Sequence, residues 1–200
     1  MELYHSQLRA ADIDYHVEPI PPPDCSIHAK IYAIRDLCRR FGEYQFIVFT
    51  DAFDVQFYGT KEEALSKMPR AGMLLGAEKN CHPYKDIIPR IPDTGPWRYA
   101  NGGLWAGTPE NQIAWCDEVE EHPLYSPGKV DQGLLNEFVA EGSPLGVIDS
   151  RTTLFFCLYM GYPELTVSDG VLLNTLYGTR PQFIHANGCA DTKRLQEMMR

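Results

Sequence analysis

Two aspartates directly follow an apolar stretch of strand length. Residues 46–49 are aromatic or β-branched, and Asp51 and Asp54 come just after them. Such a run suits a strand buried on both faces, and in open α/β sheets ligands bind beyond the carboxyl ends of the strands. Two carboxylates at that point suit Mg²⁺ or Mn²⁺, with positions left open for diphosphate oxygens. The alternative is that Asp51 caps a turn and Asp54 is only solvated.

The composition limits the kinds of partner that this chain can bind. Its 200 residues with 44% hydrophobic content are enough for one well-buried domain, and no Pro/Gly/Ser linker divides them. We therefore expect a single domain over residues 1–200. The formal net charge of -9 argues against nucleic-acid binding, which needs clustered Lys and Arg. A divalent cation would reconcile an acidic protein with an anionic nucleotide.

The sequence shows neither the pattern of a signal peptide nor a stretch long enough to span a membrane. We expect a soluble, cytoplasmic protein, or a secretory one if the chain is a processed fragment. The cysteines form no Cys-x-x-Cys pair, so we expect mostly reduced, partly buried thiols, with disulfides an option only in a secreted protein. The six cysteines are Cys25, Cys38, Cys81, Cys116, Cys157 and Cys189.

Helical and strand patterns alternate along the chain, which predicts an α/β sandwich with a central mixed, mainly parallel sheet. Polar residues stand where several strands end, among them Glu78, Asp149 and His185. Two glycines, Gly102 and Gly103, permit close approach of a ligand to the backbone, although a plain tight turn explains them equally well. Helices are predicted at residues 3–11, 28–41, 61–68, 109–121 and from 131 onward, and strands at residues 15–20, 46–50, 73–77, 145–148 and 182–184.

Six short motifs follow one another in a definite order. They are Lys30 ahead of Asp51-Ala52-Phe53-Asp54, Ala77-Glu78 with Cys81-His82-Pro83, Asn101-Gly102-Gly103, Asp131-Gln132, Ile148-Asp149 with Phe155, and His185-Ala186-Asn187-Gly188. Over residues 28–189 this series resembles the glycosyltransferase domain of the procollagen galactosyltransferase and lysyl hydroxylase (PLOD-like) group. Each motif alone is common, so the resemblance depends on their order.

The resemblance implies a GT-A-like (Rossmann-like) fold and transfer of a hexose, glucose or galactose, from a UDP-sugar to an acceptor hydroxyl. It implies Mn²⁺, or Mg²⁺, held by Asp51, Asp54 and His185. Asp131 is then the general base or an orienter of the donor, beside Gln132. The residues implied in binding the donor are Lys30, Asp51, Glu78, His82, Asn101, Gly102, Gly103, Asn187 and Gly188.

Each of these residues also has a purely structural interpretation. A lone histidine such as His185 is usually structural, Lys30 is typical of an exposed helix start, and Asp131 suits a helix N-cap.

The chain departs from the pattern of the family in three places. Val130 replaces the first of two aspartates, and His82 replaces a tryptophan. A GT-A fold normally begins with a strand that helps to hold the nucleobase, and no such apolar strand precedes Glu2. A catalytically inactive module that binds metal, nucleotide or a glycan is therefore the main alternative. A haloacid-dehalogenase-type phosphotransferase is a third, but Asp51 and Asp54 are one residue too far apart for its Asp-x-Asp motif.

Overall fold

A four-stranded sheet lies at the centre of the protein, and helices and a smaller sheet cover its two faces. The computed structural model describes residues 1–19, 27–126, 130–188 and 190–199. The helices are α1 (Glu2–Ala10), α2 (Ile27–Arg40), α3 (Lys61–Ser66), α4 (Pro109–Glu121), α5 (Asp131–Glu141) and α6 (Thr192–Met198). The strands are β1 (Ile47–Thr50), β2 (Val55–Phe57), β3 (Met73–Glu78), β4 (Tyr99–Gly107), β5 (Gly146–Ile148), β6 (Phe155–Cys157), β7 (Leu165–Ser168), β8 (Val171–Asn174) and β9 (Phe183–His185). Short 3₁₀ helices occupy Lys85–Arg90 and Tyr162–Glu164.

The strand order in the central sheet is β1-β4-β3-β5. β4 runs antiparallel to both of its neighbours, whereas β5 runs parallel to β3, so β1, β3 and β5 share one direction. The sheet is therefore mixed, with most of its strands pointing the same way. A smaller sheet, β2-β9-β6, pairs β9 antiparallel to β2 and parallel to β6, and β7 and β8 form a separate hairpin.

Alternation along β4 builds a hydrophobic core on each face of the central sheet, because successive side chains of a strand point to opposite faces. Trp105 lies in the core that contains α2, α4 and α5. Leu104 and Ala106 lie in the core that contains α1, β2 and residues of β6 and β9. All three side chains are completely buried. β4 therefore holds the two halves of the fold together.

Local signals explain where the helices begin and end. The Oγ1 of Thr108 accepts a hydrogen bond from Asn111 N at 3.2 Å, and Pro109 occupies the first position of α4, where its missing N–H costs nothing. α5 ends at Gly142, whose φ of 74° is left-handed. Within the described ranges, no helix is long and apolar enough to cross a membrane.

The strand predicted over residues 15–20 is wrong for residues 15–19, and Ile20 lies outside the described residues. Tyr15 and Val17 are 39% and 41% exposed, and the Tyr15 ring stacks on His5 with centroids 4.6 Å apart. Alternating apolar residues form a strand only where a neighbouring strand accepts their hydrogen bonds. No strand precedes β1 in residues 1–19 or 27–46.

The cysteines that the structure describes are buried free thiols. Burial raises the pKa of Cys38 to about 11 and, together with nearby charges, that of Cys116 to about 12. These two side chains are therefore protonated thiols that serve as small apolar groups in the core. Cys25 and Cys189 lie outside the described residues.

The carboxylate of Asp149 organises the turn that joins β5 to β6. Its Oδ1 accepts hydrogen bonds from Thr153 N and Thr153 Oγ1, both at 2.8 Å. Its Oδ2 accepts from Leu154 N at 2.8 Å and Phe155 N at 2.9 Å. The side chain is buried, so these four donors take the place of water. Asp149 is therefore a structural residue.

Replacing Asp149 with alanine is expected to lower the free energy of unfolding by roughly 3 kcal/mol, because buried N–H groups lose a charged acceptor. Urea unfolding followed by circular dichroism measures this. Asp36→Ala, at an exposed position on α2, is the control and should change stability by less than about 0.5 kcal/mol. Equal stability of the two variants would contradict the structural role of Asp149.

Candidate functional site

Three potential metal ligands converge at one edge of the two sheets. Asp51 follows β1, Asp54 precedes β2, and His185 is the last residue of β9, where it pairs with Val55. One ligand atom from each residue lies within 4.8 Å of the other two. His185 Nε2 is 3.2 Å from Asp54 Oδ2 and 3.7 Å from Asp51 Oδ2. The pairing of β2 with β9 therefore brings the histidine to the two aspartates.

The orientation of the His185 ring follows from its second nitrogen. Asn101 Oδ1 accepts hydrogen bonds from Gly103 N at 3.0 Å and from His185 Nδ1 at 2.9 Å. The amide oxygen cannot donate, so Nδ1 carries a proton and Nε2 is the atom that faces the two carboxylates. In the neutral imidazole, Nε2 presents its lone pair toward the two carboxylates, an arrangement that a bound cation can bridge.

Neighbouring groups affect the ionisation of Asp54. Burial raises the pKa of Asp54, but the hydrogen bond and electrostatic interaction with His185, together with the charge of Lys30, lower it more, so the net shift is downward. The protein therefore favours an ionised carboxylate at this position, which is the form that binds a cation.

Lys30 links the aspartates to the first turn of α5. Its Nζ donates to Asp131 Oδ2 at 2.5 Å, to Gly102 O at 3.1 Å and to Asp51 Oδ1 at 3.5 Å. Burial lowers the pKa of Lys30, but the two carboxylates raise it more, and the net pKa lies above the usual value. The ammonium is therefore a permanent positive charge at the site.

Glu78 lies behind this group, at the end of β3, and accepts hydrogen bonds from three side-chain amides. The donors are Gln132 Nε2, Asn187 Nδ2 and, at 3.5 Å, Asn101 Nδ2. Burial raises the pKa of Glu78 to about 7, although these donors pull it down. The carboxylate connects α5, β4 and the segment after β9 in one network.

Two glycines leave room for the charged side chains. A Cβ on Gly103 would stand closer than 3.0 Å to both Asp51 and His185, and one on Gly102 would collide with the Asp131 carboxylate in the same way. Any side chain at these positions would displace a charged group of the site.

The order of motifs and the geometry can be compared with known proteins. The family model of the PLOD GT domain matches residues 28–198. The chain belongs to this family. Procollagen-lysine,2-oxoglutarate 5-dioxygenase of Drosophila melanogaster is 29% identical over 157 residues, which cover 71% of this chain and 21% of that protein. The chain therefore spans about a fifth of the length of this curated relative.

The fold of this PLOD GT domain also matches a solved glycosyltransferase, one involved in the glycosylation of the major capsid of PBCV-1. The TM-score is 0.56 at 16% identity, and the match covers 98% of this chain and 88% of the other. At this identity the likeness concerns the fold alone. The prediction of an α/β, GT-A-like fold is confirmed.

The site residues predicted from the sequence differ in their burial and in their hydrogen-bond partners in the PLOD GT domain. Asn101 is 2% exposed, and both ends of its amide are used inside the protein, so it supports His185 from behind. Asn187 is also buried, and its Oδ1 accepts from Tyr159 N at 3.0 Å. Gly188 has a left-handed φ of 65° and lies under the ring of Tyr159. His82 is exposed and reaches the network through its backbone carbonyl.

Asp131 does not cap α5, because the N-cap position belongs to Val130. Its Oδ1 accepts from the neighbouring Gln132 N at 2.7 Å, and its Oδ2 from Lys30. The structural interpretation of Asp131 as an N-cap is therefore wrong, and the carboxylate faces the site.

Sequence reasoning missed two residues of this PLOD GT domain. Phe53, between the two aspartates, is 80% exposed, which is unusual for a large aromatic side chain. Asn136 is completely buried in α5 and contacts Gln132, Ala100 and His82. Its position among Leu134, Leu135 and Phe138 was the available signal, since a polar residue on an apolar helix face needs buried hydrogen-bond partners.

The raised pKa of Glu78 has a testable consequence for stability. In the unfolded chain Glu78 ionises near the ordinary glutamate pKa of 4.5, whereas in the fold its pKa is about 7, so stability falls as the pH rises through this window. With EDTA present, Glu78→Gln should remove this fall in stability with pH, because glutamine does not ionise. Relative to the parent, the variant should gain on the order of 3 kcal/mol between pH 4.5 and 7.5.

Urea unfolding across this pH range measures the gain. Glu197→Gln, at an exposed position on α6, is the matched control and should follow the parent at every pH. Parallel curves for Glu78→Gln and the parent would rule out the shifted carboxyl.

Proposed function

We propose that this domain is a divalent-metal-dependent hexosyltransferase that moves glucose or galactose from a UDP-sugar to an acceptor hydroxyl. The cation is Mn²⁺ or Mg²⁺, and residues 1–200 form a single glycosyltransferase-like domain. Membership of the PLOD GT domain family supports the transfer of a sugar. The cation is inferred from the site itself, and the UDP-hexose donor from the resemblance of the sequence motifs to this family.

The convergence of Asp51, Asp54 and His185 is the observation that carries this proposal. Two carboxylates and an imidazole fit Mn²⁺, which accepts both oxygen and nitrogen ligands. The protonated Nδ1 of His185 leaves Nε2 as the ligand atom, with Asn101 fixing the ring from behind. These three residues would hold the cation, and the cation would neutralise the charge that develops on the diphosphate leaving group.

Lys30 provides a second positive charge on the same side of the site. Its ammonium contacts both Asp51 and Asp131, so it lies between the proposed cation ligands and the first turn of α5. A donor diphosphate bound at the cluster would therefore meet two sources of positive charge, and Lys30 would bind its phosphate oxygens.

Asp131 and Gln132 are the proposed catalytic pair. The Asp131 carboxylate is held by Lys30 on one oxygen and by Gln132 N on the other. This arrangement favours a fixed group that orients the donor sugar or receives the proton of the acceptor hydroxyl. The Gln132 amide is turned toward Glu78, which fixes its orientation next to Asp131. A bound sugar would meet this edge of the site.

Phe53 is the proposed platform for the nucleobase. An exposed aromatic ring between two cation ligands lies within reach of a uracil whose diphosphate binds at the cluster, and stacking on an aromatic ring contributes about 1–3 kcal/mol per base.

Phe53→Ala should therefore weaken UDP binding roughly 10-fold or more at constant Mn²⁺ affinity. Calorimetry measures both, with Leu176→Ala, at another exposed apolar position, as the control. Unchanged UDP affinity would place the base elsewhere.

The cation cluster is tested by titrating UDP into the purified protein with Mn²⁺ and with EDTA. We expect binding only in the presence of Mn²⁺. Asp54→Ala should abolish that binding and keep the fold, because it removes a partly exposed ligand and no core packing. Asp36→Ala is the matched control. UDP binding that survives in EDTA would contradict the metal site.

Release of UDP from UDP-glucose and UDP-galactose distinguishes an enzyme from an inactive module. The replacement of the first family aspartate by Val130 is the feature that favours the inactive alternative. The relative named above acts on procollagen lysine, so a hydroxylysine peptide is the first acceptor to include. Metal-dependent UDP binding without turnover under any of these conditions would support the inactive module.

A further inference from the structure

Asn136 is a completely buried polar residue on a helix face that otherwise packs into the core. Its side-chain hydrogen bonds involve neither the proposed cation ligands nor Asp131. Every polar atom of its amide has a partner, and the partners belong to three different segments of the chain. A buried, fully bonded amide in such a position fixes geometry.

The amide oxygen of Asn136 holds β4. Ala100 N donates to Asn136 Oδ1 at 2.9 Å, in a bond that is completely buried. Ala100 directly precedes Asn101, and at this point the regular pairing of β4 with β3 is interrupted between Leu75 and Ala77. Within the interrupted stretch, Gly103 O accepts from Asp51 N at 2.9 Å. Asn136 therefore anchors the β4 backbone at one end of the stretch that lacks regular pairing with β3.

The amide nitrogen of Asn136 holds the other side of the site. Its Nδ2 donates to Gln132 O at 2.9 Å, one turn earlier in α5, and to His82 O at 3.4 Å. Between these contacts the loop packs closely on the helix, since a Cβ on Gly133 would come within 3.0 Å of Tyr84. The first turn of α5 and the His82 loop are therefore tied to the same side chain.

We propose that Asn136 is a positioning residue that sets the first turn of α5, and with it Asp131 and Gln132, in register with Asn101–Gly103 of β4. The effect on catalysis rests on the proposed function, whereas the structural role does not. The proposed cation ligands lie on β1, β2 and β9 or directly beside them, and the hydrogen bonds of the Asn136 side chain go instead to Ala100, Gln132 and His82. Loss of the Asn136 amide nitrogen alone, which leaves the bond from Ala100 N in place, therefore impairs transfer while binding of UDP and Mn²⁺ persists.

The chemistry of the amide explains why asparagine serves here. The position needs one acceptor for Ala100 N and a donor for two carbonyl oxygens, and an amide provides both on one short side chain. Aspartate keeps the acceptor and puts a second oxygen against the carbonyls of Gln132 and His82. Alanine removes both functions. The two substitutions therefore separate the anchor of β4 from the anchor of α5.

Hydrogen–deuterium exchange tests the structural part without any activity assay. In Asn136→Ala, the amides of His82, Tyr84 and residues 99–103 and 131–134 should exchange at least roughly tenfold faster than in the parent. Asn174→Ala is the matched control, because Asn174 is also completely buried and bonds Leu176 N and Thr152 Oγ1 in another part of the fold. The two variants are compared equally far below their Tm values.

Faster exchange in the three segments for Asn136→Ala, and not for Asn174→Ala, supports the proposal. The same slow exchange as in the parent, or equal acceleration in both variants, overturns it. In Asn136→Asp, residues 99–103 should stay protected while residues 131–134 exchange faster, because the acceptor for Ala100 N is retained. Failure of this experiment leaves the hexosyltransferase proposal intact, since it involves neither donor nor metal.

The catalytic part is tested by UDP release from UDP-galactose and UDP-glucose. Asn136→Asp should lower kcat roughly 10- to 100-fold, as expected for misplacement of a catalytic group by about 1 Å, and change the Kd for UDP with Mn²⁺ less than about 3-fold. A proportional loss of affinity and turnover would assign Asn136 to general stability and overturn the proposal. A parent without turnover would refute the hexosyltransferase, and the exchange experiment would then decide the role of Asn136.

Discussion

The ammonium of Lys30 is the interaction on which the site depends. Asp51 and Asp131 come from segments far apart in the chain, and both carboxylates form ion pairs with the Lys30 ammonium. Without it, like charges would repel one another at a partly buried place where screening by water is weak. Gly102 O shares the same ammonium, so the backbone of β4 is bound into the arrangement as well. Helix α2 therefore does more than cover the sheet, since it delivers the charge around which the acidic groups assemble.

β4 provides the frame for this assembly. Its apolar half, with Trp105 on one face and Leu104 and Ala106 on the other, is locked between two cores. Its polar half, Asn101–Gly103, has lost its regular pairing with β3 and carries no side chain at the two glycines. A rigid, buried strand thus continues into a segment that charged groups can approach from both sides. The packing of the apolar half therefore fixes the position of the polar half at the site.

The protein resembles known proteins in two respects, its overall fold and the short motifs at its site. The capsid glycosyltransferase shares the architecture at 16% identity, because many combinations of apolar residues can fill two cores of this shape. The motifs by which the sequence resembles the family are short and mostly polar, and several of them stand at the ends of strands. Asp149 shows that such a motif need not be chemical, because all of its hydrogen bonds build the turn after β5. Position at a strand end alone does not separate the two kinds of aspartate.

The sequence by itself determined the α/β class, most of the helices, and the placement of Asp51 and Asp54 just beyond a strand, because these follow from local periodicity and residue type. It did not determine that residues 15–19 lack a partner strand, nor that Asn101 and Glu78 are buried behind the site. Those outcomes depend on tertiary contacts. Within the site, Asp54 meets His185, which lies 131 positions later in the chain, and Lys30 meets Asp131, which lies 101 positions later. Only the pairing of β9 with β2, and the packing of α2 near α5, could bring them together, and no local pattern encodes that choice.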